Sequence, residues 1–425
     1  MTIDPTKFKT KNPREAAYYS LLAFLRDEAF IFNSLEKWQS LMKPTAKDAR
    51  LAREIAYGTA RMALALDHIA KSLTNKEKLS LKTREKIIVR MAIYQYQYMD
   101  KIPIYAINNE SIELAKKTCH ESFVKFLNAI LRRLPEQEIK LPKGRTVPEL
   151  SIHYSYPQFF VQELIQNHGL DHAIEIMESE NKPSPTMFRI RPGAKISIEA
   201  EDDLELLAGT NRPVGVIKNP DRLPDIAQSK DFYIQNVTPA VLIDKLAQEA
   251  QSPRGILDLC SSPGGKIIAA HDYFPKAELF ANDISPAKLK TLSDNFAKHE
   301  ISATLSSSLG EEYRSEQKFD LIILDVPCSN SGVLHKRPEA RWRIDNTKLE
   351  HLEELQMQLI KHASTLLEDE GEIWYMTCSV LKRENERLIE RACKKCNLEV
   401  RLQETILPNN HGWDGGFGCA LRKKS

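Results

Sequence analysis

The sequence is poor in several features that mark specialised protein classes. It has only seven cysteines in 425 residues, unevenly spaced, so we expect no disulfide framework. No apolar run approaches the roughly 20 residues that a membrane-spanning helix needs. The first residues lack the basic and then apolar pattern of a secretory signal. These absences predict a protein of the reducing cytoplasm with no membrane partner.

Charge and repetition are also scarce. The formal net charge is +2, so any binding of a polyanion would depend on local basic patches. The sequence shows no internal repeat and no low-complexity tract, and its histidines show no metal-ligand spacing, so we expect no metal. What is present, 42% hydrophobic and 28% charged residues, is typical of a globular protein. At 425 residues the chain exceeds one ordinary core, which predicts two or three domains.

Three regions differ in their patterning. Residues 12–135 carry apolar side chains at helical spacing, which predicts an all-α N-terminal domain. Residues 151–231 begin with helical character and continue into proline-bearing sequence, which predicts a small α+β middle region. From residue 232 to residue 425, strands and helices alternate, as in a doubly wound, Rossmann-like α/β domain.

A glycine turn in the last region suggests a nucleotide-type cofactor. A predicted strand at 256–259 leads into Ser262-Pro263-Gly264-Gly265, and a helix follows. Glycine lets the backbone approach a ligand, and the amides of a helix N-terminus attract anions. Asp283 ends the next predicted strand, about 20 residues on, where a carboxylate suits ribose hydroxyls. Many helices begin with such a turn without binding a nucleotide. The loop matches neither the dinucleotide fingerprint nor the Walker motif, so S-adenosylmethionine is the better candidate.

Two cysteines each follow a predicted buried strand. Cys328 comes after the apolar run 319–324, and Cys378 comes after the run 372–376. Catalytic groups of open α/β sheets gather at the carboxyl ends of strands. A thiolate that adds to C6 of a pyrimidine makes C5 nucleophilic, and Asp325 is placed to hold the base. The alternative is that both cysteines only pack in the core, and these considerations do not rank the two thiols.

Three motifs resemble those of the RNA cytosine-5 methyltransferase family: Cys260-Ser261-Ser262-Pro263-Gly264-Gly265-Lys266, Asp325-Val326-Pro327-Cys328-Ser329 and Thr377-Cys378-Ser379. The chain is most similar to the bacterial 16S ribosomal RNA methyltransferases of the Sun/Fmu type. Residues 126–133 resemble part of that group's NusB-like N-terminal domain, and Phe188-Arg189-Ile190-Arg191 resembles part of its middle segment.

The resemblance implies a role for each matched residue. S-adenosylmethionine would be bound by Cys260, Ser261, Ser262, Pro263, Gly264, Gly265, Lys266, Asp283 and Asp325. Cys378 would attack C6, and Cys328 would assist product release, with Asp325 at the junction of cofactor and base. The partner would be RNA, 16S ribosomal RNA in particular, bound by a NusB-like domain at 12–135 and by the middle region. We expect a monomer.

Two further features bear on RNA and cofactor binding. The segment after Cys328 carries Lys336, Arg337, Arg341 and Arg343 beside an indole, which suits phosphate contact and base stacking. The alternative is an ordinary solvated basic loop. Ser308-Leu309-Gly310 departs from the family's Gly-Asp-Gly, so Leu309 lacks the carboxylate expected near adenine. This departure is the best argument for a rival function, a non-catalytic RNA-binding or ribosome-assembly factor on a diverged scaffold. A DNA cytosine-5 methyltransferase is a second rival.

Overall fold

The chain forms two compact units. The computed structural model describes residues 9–74, 79–194, 203–207 and 213–424. The helical unit comprises Met1–Gln166 together with a short segment, Arg337–Arg343, which we call the strap. The sheet unit comprises Asn167–Lys336 and Ile344–Ser425. The division at residue 166 therefore falls inside the predicted middle region, and the strap lies with the helices although it was predicted within the α/β domain.

Helices build the described part of the helical unit. Apolar side chains at helical spacing, such as Ile87 and Met91, are buried in one core. The first helix begins where Asn12 accepts hydrogen bonds from the backbone of Arg14 and Glu15, with proline in the first turn. The helices are α1 (Pro13–Asp27), α2 (Ile31–Met42), α3 (Ala46–Arg61), α4 (Ala63–Thr74), α5 (Thr83–Tyr98), α6 (Ile104–Thr118), α7 (Glu121–Arg133), α8 (Val147–Tyr154) and α9 (Gln158–His168), the last of which ends beyond residue 166.

The strap completes the core of the helical unit. Arg341 is fully buried and donates hydrogen bonds to the carbonyl oxygens of Arg61, at 3.2 Å, and Ser155, at 3.3 Å. The Trp342 indole N–H donates to the carbonyl of Ala60 at 2.8 Å. Because these carbonyls come from helix ends and loops, the strap satisfies backbone groups that the helices leave open.

The sheet unit contains a seven-stranded sheet in the order β10-β11-β9-β8-β5-β6-β7. The strands from β9 to β7 are parallel, and β11 and β10 extend the sheet in antiparallel pairing. The strands of this sheet are β5 (Gly255–Asp258), β6 (Glu278–Asn282), β7 (Thr304–Ser306), β8 (Phe319–Asp325), β9 (Leu367–Thr377), β10 (Leu398–Ile406) and β11 (Gly416–Lys423). The helices of the unit are α10 (Leu170–Glu180), α11 (Leu223–Gln228), α12 (Val237–Gln248), α13 (Gly265–Tyr273), α14 (Pro286–Lys298), α15 (Asn346–Leu366) and α16 (Glu386–Cys396).

Helices cover both faces of this sheet. Leu321 and Ile323 of β8 pack in a core with α12, α13 and α14, whereas Ile322 and Leu324 pack in a second core with α15 and α16. Successive side chains of a strand point to opposite faces, so a strand buried on both sides reads as one apolar run. The predicted fold, an all-α N-terminal region followed by a Rossmann-like α/β domain, is confirmed. No helix in the described residues is long and apolar enough to cross a membrane.

A second sheet occupies the middle of the sequence. Its strands are β1 (Met187–Ile190), β2 (Leu204–Leu207), β3 (Val214–Ile217) and β4 (Phe232–Ile234), antiparallel in the order β2-β3-β1-β4. Arg189 of β1 is buried and pairs with Asp272 on α13, and Arg191 pairs with the same carboxylate at 2.8 Å. The small sheet is thus tied to the helix that begins at the glycine turn.

Candidate active site

Cys328 and Cys378 meet at the carboxyl ends of two neighbouring strands. The parallel pairing of β8 with β9 sets Asp325 beside Met376, so the loops that follow start at the same edge of the sheet. The two sulfur atoms lie 3.1 Å apart, and both thiols are free. A disulfide needs about 2.05 Å between sulfurs, so the pair is reduced. The Cys378 thiol donates to Oδ1 of Asn330 at 3.4 Å.

The cysteines at the strand ends differ in electrostatic surroundings. The hydrogen bond with Cys378, burial and the charges of Cys378 and Glu384 raise the pKa of Cys328 well above that of an ordinary thiol. Burial, followed by the carboxylates of Asp258 and Asp325, raises the pKa of Cys260. A thiol is a nucleophile only as the thiolate, so both Cys260 and Cys328 are protonated near neutral pH.

A lysine and two carboxylates lie at the ends of β5 and β8. Lys266 Nζ is 2.5 Å from Oδ2 of Asp325. Burial disfavours the lysine's charge, but Asp325 outweighs burial and raises the pKa of Lys266. Burial and then the charge of Asp325 raise the pKa of Asp258 to about 7. The structure therefore brings the predicted residues Lys266 and Asp325 together as an ion pair.

The glycine turn has the geometry of a ligand loop. Gly264 precedes α13 with φ of 100°, and a Cβ there would lie 2.7 Å from a methyl group of Leu292. Asp283, at the end of β6, is almost fully buried. Its oxygens accept from the backbone N–H groups of Ser262 at 3.2 Å and Ser285 at 3.3 Å. Asp283 is thereby fixed to the loop 260–266, and each oxygen keeps capacity for a further donor. These residues fit a nucleoside cofactor.

Leu309 supplies no polar group beside this loop. Leu309 is 37% exposed, and a leucine side chain offers only an apolar surface. The nearest amide, Asn282, is buried, and its Oδ1 already accepts from the backbone and hydroxyl of Ser308. The acceptor that the family pattern has for adenine is absent at this position.

A buried carboxylate that the sequence reasoning did not select connects the two cysteine loops. Glu384 is fully buried and accepts hydrogen bonds from Ser329 and Ser379, the residues that follow Cys328 and Cys378. A glutamate in a strand-to-helix turn usually faces solvent, so its sequence position gave no signal.

The four predicted RNA-binding cations are placed differently from one another. Lys336 and Arg337 are exposed, and Lys336 Nζ lies 2.8 Å from both carboxylate oxygens of Asp414. Arg343 lies over the Phe30 ring, 4.1 Å from its centre. Arg341 has no exposed surface, since it donates to backbone carbonyls within the helical unit. The prediction that Arg341 contacts RNA is therefore wrong: a patch of positive charge in a sequence does not distinguish a solvated cation from one that satisfies buried carbonyls.

Comparison with known proteins assigns the two parts of the chain. Residues 11–136 match the NusB family, and residues 245–422 match the family described as 16S rRNA methyltransferase RsmB/F. The chain therefore combines a NusB region with an RsmB/F methyltransferase region. It is therefore a ribosomal RNA methyltransferase, and the rival function of a DNA methyltransferase is not supported.

Curated relatives align along most of this chain. It is 26% identical over 461 residues to a probable ribosomal RNA small subunit methyltransferase B of Bacillus subtilis, covering 98% of this chain and 100% of that protein. A ribosomal RNA small subunit methyltransferase B of Yersinia pseudotuberculosis is 26% identical over 401 residues, 89% of this chain and 91% of that protein. The solved structure of PH0851 has the same fold, with a TM-score of 0.77, 21% identity and full coverage of both chains. The described residues contain no cluster of three or more potential metal ligands.

Proposed function

We propose that the protein uses S-adenosylmethionine to methylate C5 of a cytosine in 16S ribosomal RNA, through a covalent bond between Cys378 and C6. The observation that carries the proposal is the 3.1 Å separation of two reduced thiols, delivered by adjacent parallel strands beside the Asp325–Lys266 pair. The family and the names of its relatives support ribosomal RNA of the small subunit as the substrate class.

Cys378 is the attacking group in this scheme. Its thiolate would add to C6 of the cytosine, and the electron pair displaced from the C5–C6 bond makes C5 a nucleophile. After C5 is alkylated, its proton would pass to water as the Cys378–C6 bond breaks, and the electron pair of that bond would return to Cys378 as a thiolate. The sulfur of Cys328 contacts that of Cys378. A raised pKa keeps Cys328 protonated, so its S–H group would assist release by donating a hydrogen bond to the departing thiolate.

Asp325 and Lys266 would hold the ring during addition. Attack at C6 moves negative charge onto the N3–O2 edge of cytosine, and a preorganised ammonium group stabilises developing charge strongly in a buried site. The Asp325 carboxylate would accept a hydrogen bond from the exocyclic amine of the base. The 2.5 Å contact between the two side chains keeps both at the mouth of the cysteine pair.

The loop 260–266, Asp283 and Asp325 would bind the cofactor, which supplies an electrophilic methyl group on a sulfonium. The amides at the start of α13 would face the methionine carboxylate, and Asp283 the ribose hydroxyls. Lys336, Arg337 and Arg343 would contact the RNA backbone, and the target cytosine would leave its stack to reach Cys378. The monomeric state and the cytoplasmic location stay predictions.

Methyl transfer with cysteine variants tests the proposal. The protein is incubated with S-adenosylmethionine labelled in its methyl group and with 16S RNA or DNA of the same sequence. We expect label in RNA as 5-methylcytosine, none in DNA, and none with Cys378→Ala. With Cys328→Ala, a covalent protein–RNA adduct should accumulate on denaturing gels. Cys393→Ala, which removes a thiol on α16 that belongs to neither motif, is the matched control and should retain activity. Transfer that survives Cys378→Ala would disprove the role given to Cys378.

A further inference from the structure

Glu384 joins the two cysteine loops through a single carboxylate. Oε1 accepts from the backbone N–H of Ser329 at 2.8 Å and from the side-chain amide of Gln356 at 3.2 Å. Oε2 accepts from the hydroxyls of Ser329 at 2.5 Å and Ser379 at 2.6 Å. Gln356 also donates to the carbonyl of Pro327, the residue before Cys328. Cys328 is therefore held on both sides, and Cys378 is held through the residue that follows it.

The donors around Glu384 match a carboxylate and no other side chain. Ser329 Oγ accepts from the backbone N–H of Ser331 at 3.3 Å, and Ser379 Oγ accepts from that of Leu381 at 3.0 Å. Ser379 Oγ also lies 3.3 Å from Ser329 Oγ and 2.9 Å from Ser331 Oγ, so Glu384 accepts from a network of serine hydroxyls. Four donors converge on two oxygens that only accept when ionised. A glutamine at this position would direct an NH₂ group towards donors. Burial raises the pKa of Glu384 because it disfavours the charge of the carboxylate, and the four hydrogen bonds act against that effect.

Charges of opposite sign flank the two thiols. The charge of Glu384 helps to raise the pKa of Cys328, after the contact with Cys378 and burial. Lys266, from α13, interacts electrostatically with Cys378. Tyr375 of β9 also faces the cluster, but its hydroxyl donates to the Glu384 carbonyl at 2.7 Å, and burial keeps it neutral by raising its pKa.

We propose that Glu384 is a positioning residue for both thiols: its carboxylate locks the loop after Cys328 to the loop after Cys378, and its negative charge makes the two thiols inequivalent. The inference deepens the proposed function and depends on it for its catalytic meaning. The inequivalence of the thiols is a property of the protein alone and is measured without substrate.

The test is the alkylation of each thiol by iodoacetamide as a function of pH, with the full-length protein and without RNA or cofactor. Mass spectrometry of the two cysteine peptides gives a separate rate for Cys328 and for Cys378. In Glu384→Gln we expect Cys328 to react faster near pH 8, because a charge that disfavours its thiolate is removed, with a smaller change at Cys378. Glu353→Gln is the matched control. Glu353 lies on α15 and accepts a hydrogen bond from Arg383, the residue before Glu384, but it bonds neither Ser329 nor Ser379. The control variant should leave both rates unchanged.

The possible results separate charge from loosened packing. Equal acceleration of both thiols in Glu384→Gln would show general loosening and would overturn the proposal, as would unchanged rates in a folded variant. If Glu384→Gln does not fold, Ser379→Ala decides, since it removes one hydrogen bond of Glu384 to the loop after Cys378: unequal changes of the two rates support the proposal, and unchanged rates overturn it. Because labelling requires no methyl transfer, a negative methylation assay would leave this result intact.

Discussion

Replacing Asp272 by asparagine should destabilise the sheet unit strongly. Asp272 is the shared partner of Arg189 and Arg191, and the side chains of Asp272 and Arg189 are 1% and 2% exposed. Burial lowers the pKa of Arg189, which shows that water would stabilise its charge, and the Asp272 carboxylate acts against that loss. Asparagine keeps the size of the side chain and one acceptor but leaves two guanidinium charges without a counter-charge.

The magnitude follows from the burial of the pair. Removing one partner of a buried ion pair lowers the free energy of unfolding by about 3–5 kcal/mol, because an uncompensated charge remains inside. That is at least about a fifth of the roughly 5–15 kcal/mol that a typical domain has. A control is Glu404→Gln, which breaks the half-exposed pair with Lys245 and should change stability by less than about 1 kcal/mol.

The measurement must report the sheet unit by itself. Urea unfolding of a chain with two compact units need not be two-state, so native-state hydrogen exchange at the backbone amides of β8 and β9 is the better assay. We expect these amides to lose protection in Asp272→Asn and to keep it in Glu404→Gln. Equal protection in both variants would refute the reasoning, since it would mean that Arg189 is solvated without Asp272.

Three further predictions concern a histidine, the cofactor loop and the strap. Burial disfavours the charge of His335, but the carboxylates of Asp414 and Glu180 outweigh burial and raise the pKa of the imidazole. The protonated histidine therefore stabilises the folded state. This contribution is complete below the unfolded pKa of about 6.5 and is lost as pH rises through the higher folded value. His335→Gln should flatten the decline of the urea midpoint over that range, and an unchanged decline would contradict the assignment. Leu309→Asp should tighten binding of S-adenosylhomocysteine about 3- to 10-fold in calorimetric titration, the effect of one added hydrogen bond, and equal affinity would count against an adenine site there. Arg337→Ala should weaken RNA binding and reduce its salt dependence by about one charge without changing the melting temperature, whereas Arg341→Ala should lower the melting temperature; the reverse pattern would contradict the burial of Arg341.

Local patterning was sufficient for the sheet and for the residues at its edge. The apolar run 319–324 predicted β8, and the glycine turn predicted the start of α13, because burial on both faces and a positive φ leave signals in consecutive residues. Since parallel strands end at one edge, the meeting of Cys328 with Cys378 and of Lys266 with Asp325 could be expected from the strand ends alone.

Side chains that act across long separations could not be read from the sequence. Glu384 contacts Ser329, 55 positions away, and nothing in its own surroundings in the sequence distinguishes it from a solvated acid. Arg341 was misjudged for the same reason, since its partners at Arg61 and Ser155 are carbonyl groups, which every residue has. The helical character predicted at the start of the middle region is divided at Gly169, whose φ of 80° lies between two helices.

The strap has a consequence for how this protein is divided in the laboratory and how it is made in the cell. Residues 1–166 emerge from the ribosome long before Arg341 and Trp342. The core of the nascent helical unit therefore stays incomplete until the strap, about 170 residues later in the sequence, has been synthesised. A gene fragment that stops at residue 166 would encode helices whose carbonyls at Ala60, Arg61 and Ser155 lack their partners. An expression fragment, circular permutant or domain exchange that isolates the N-terminal region should therefore include the strap.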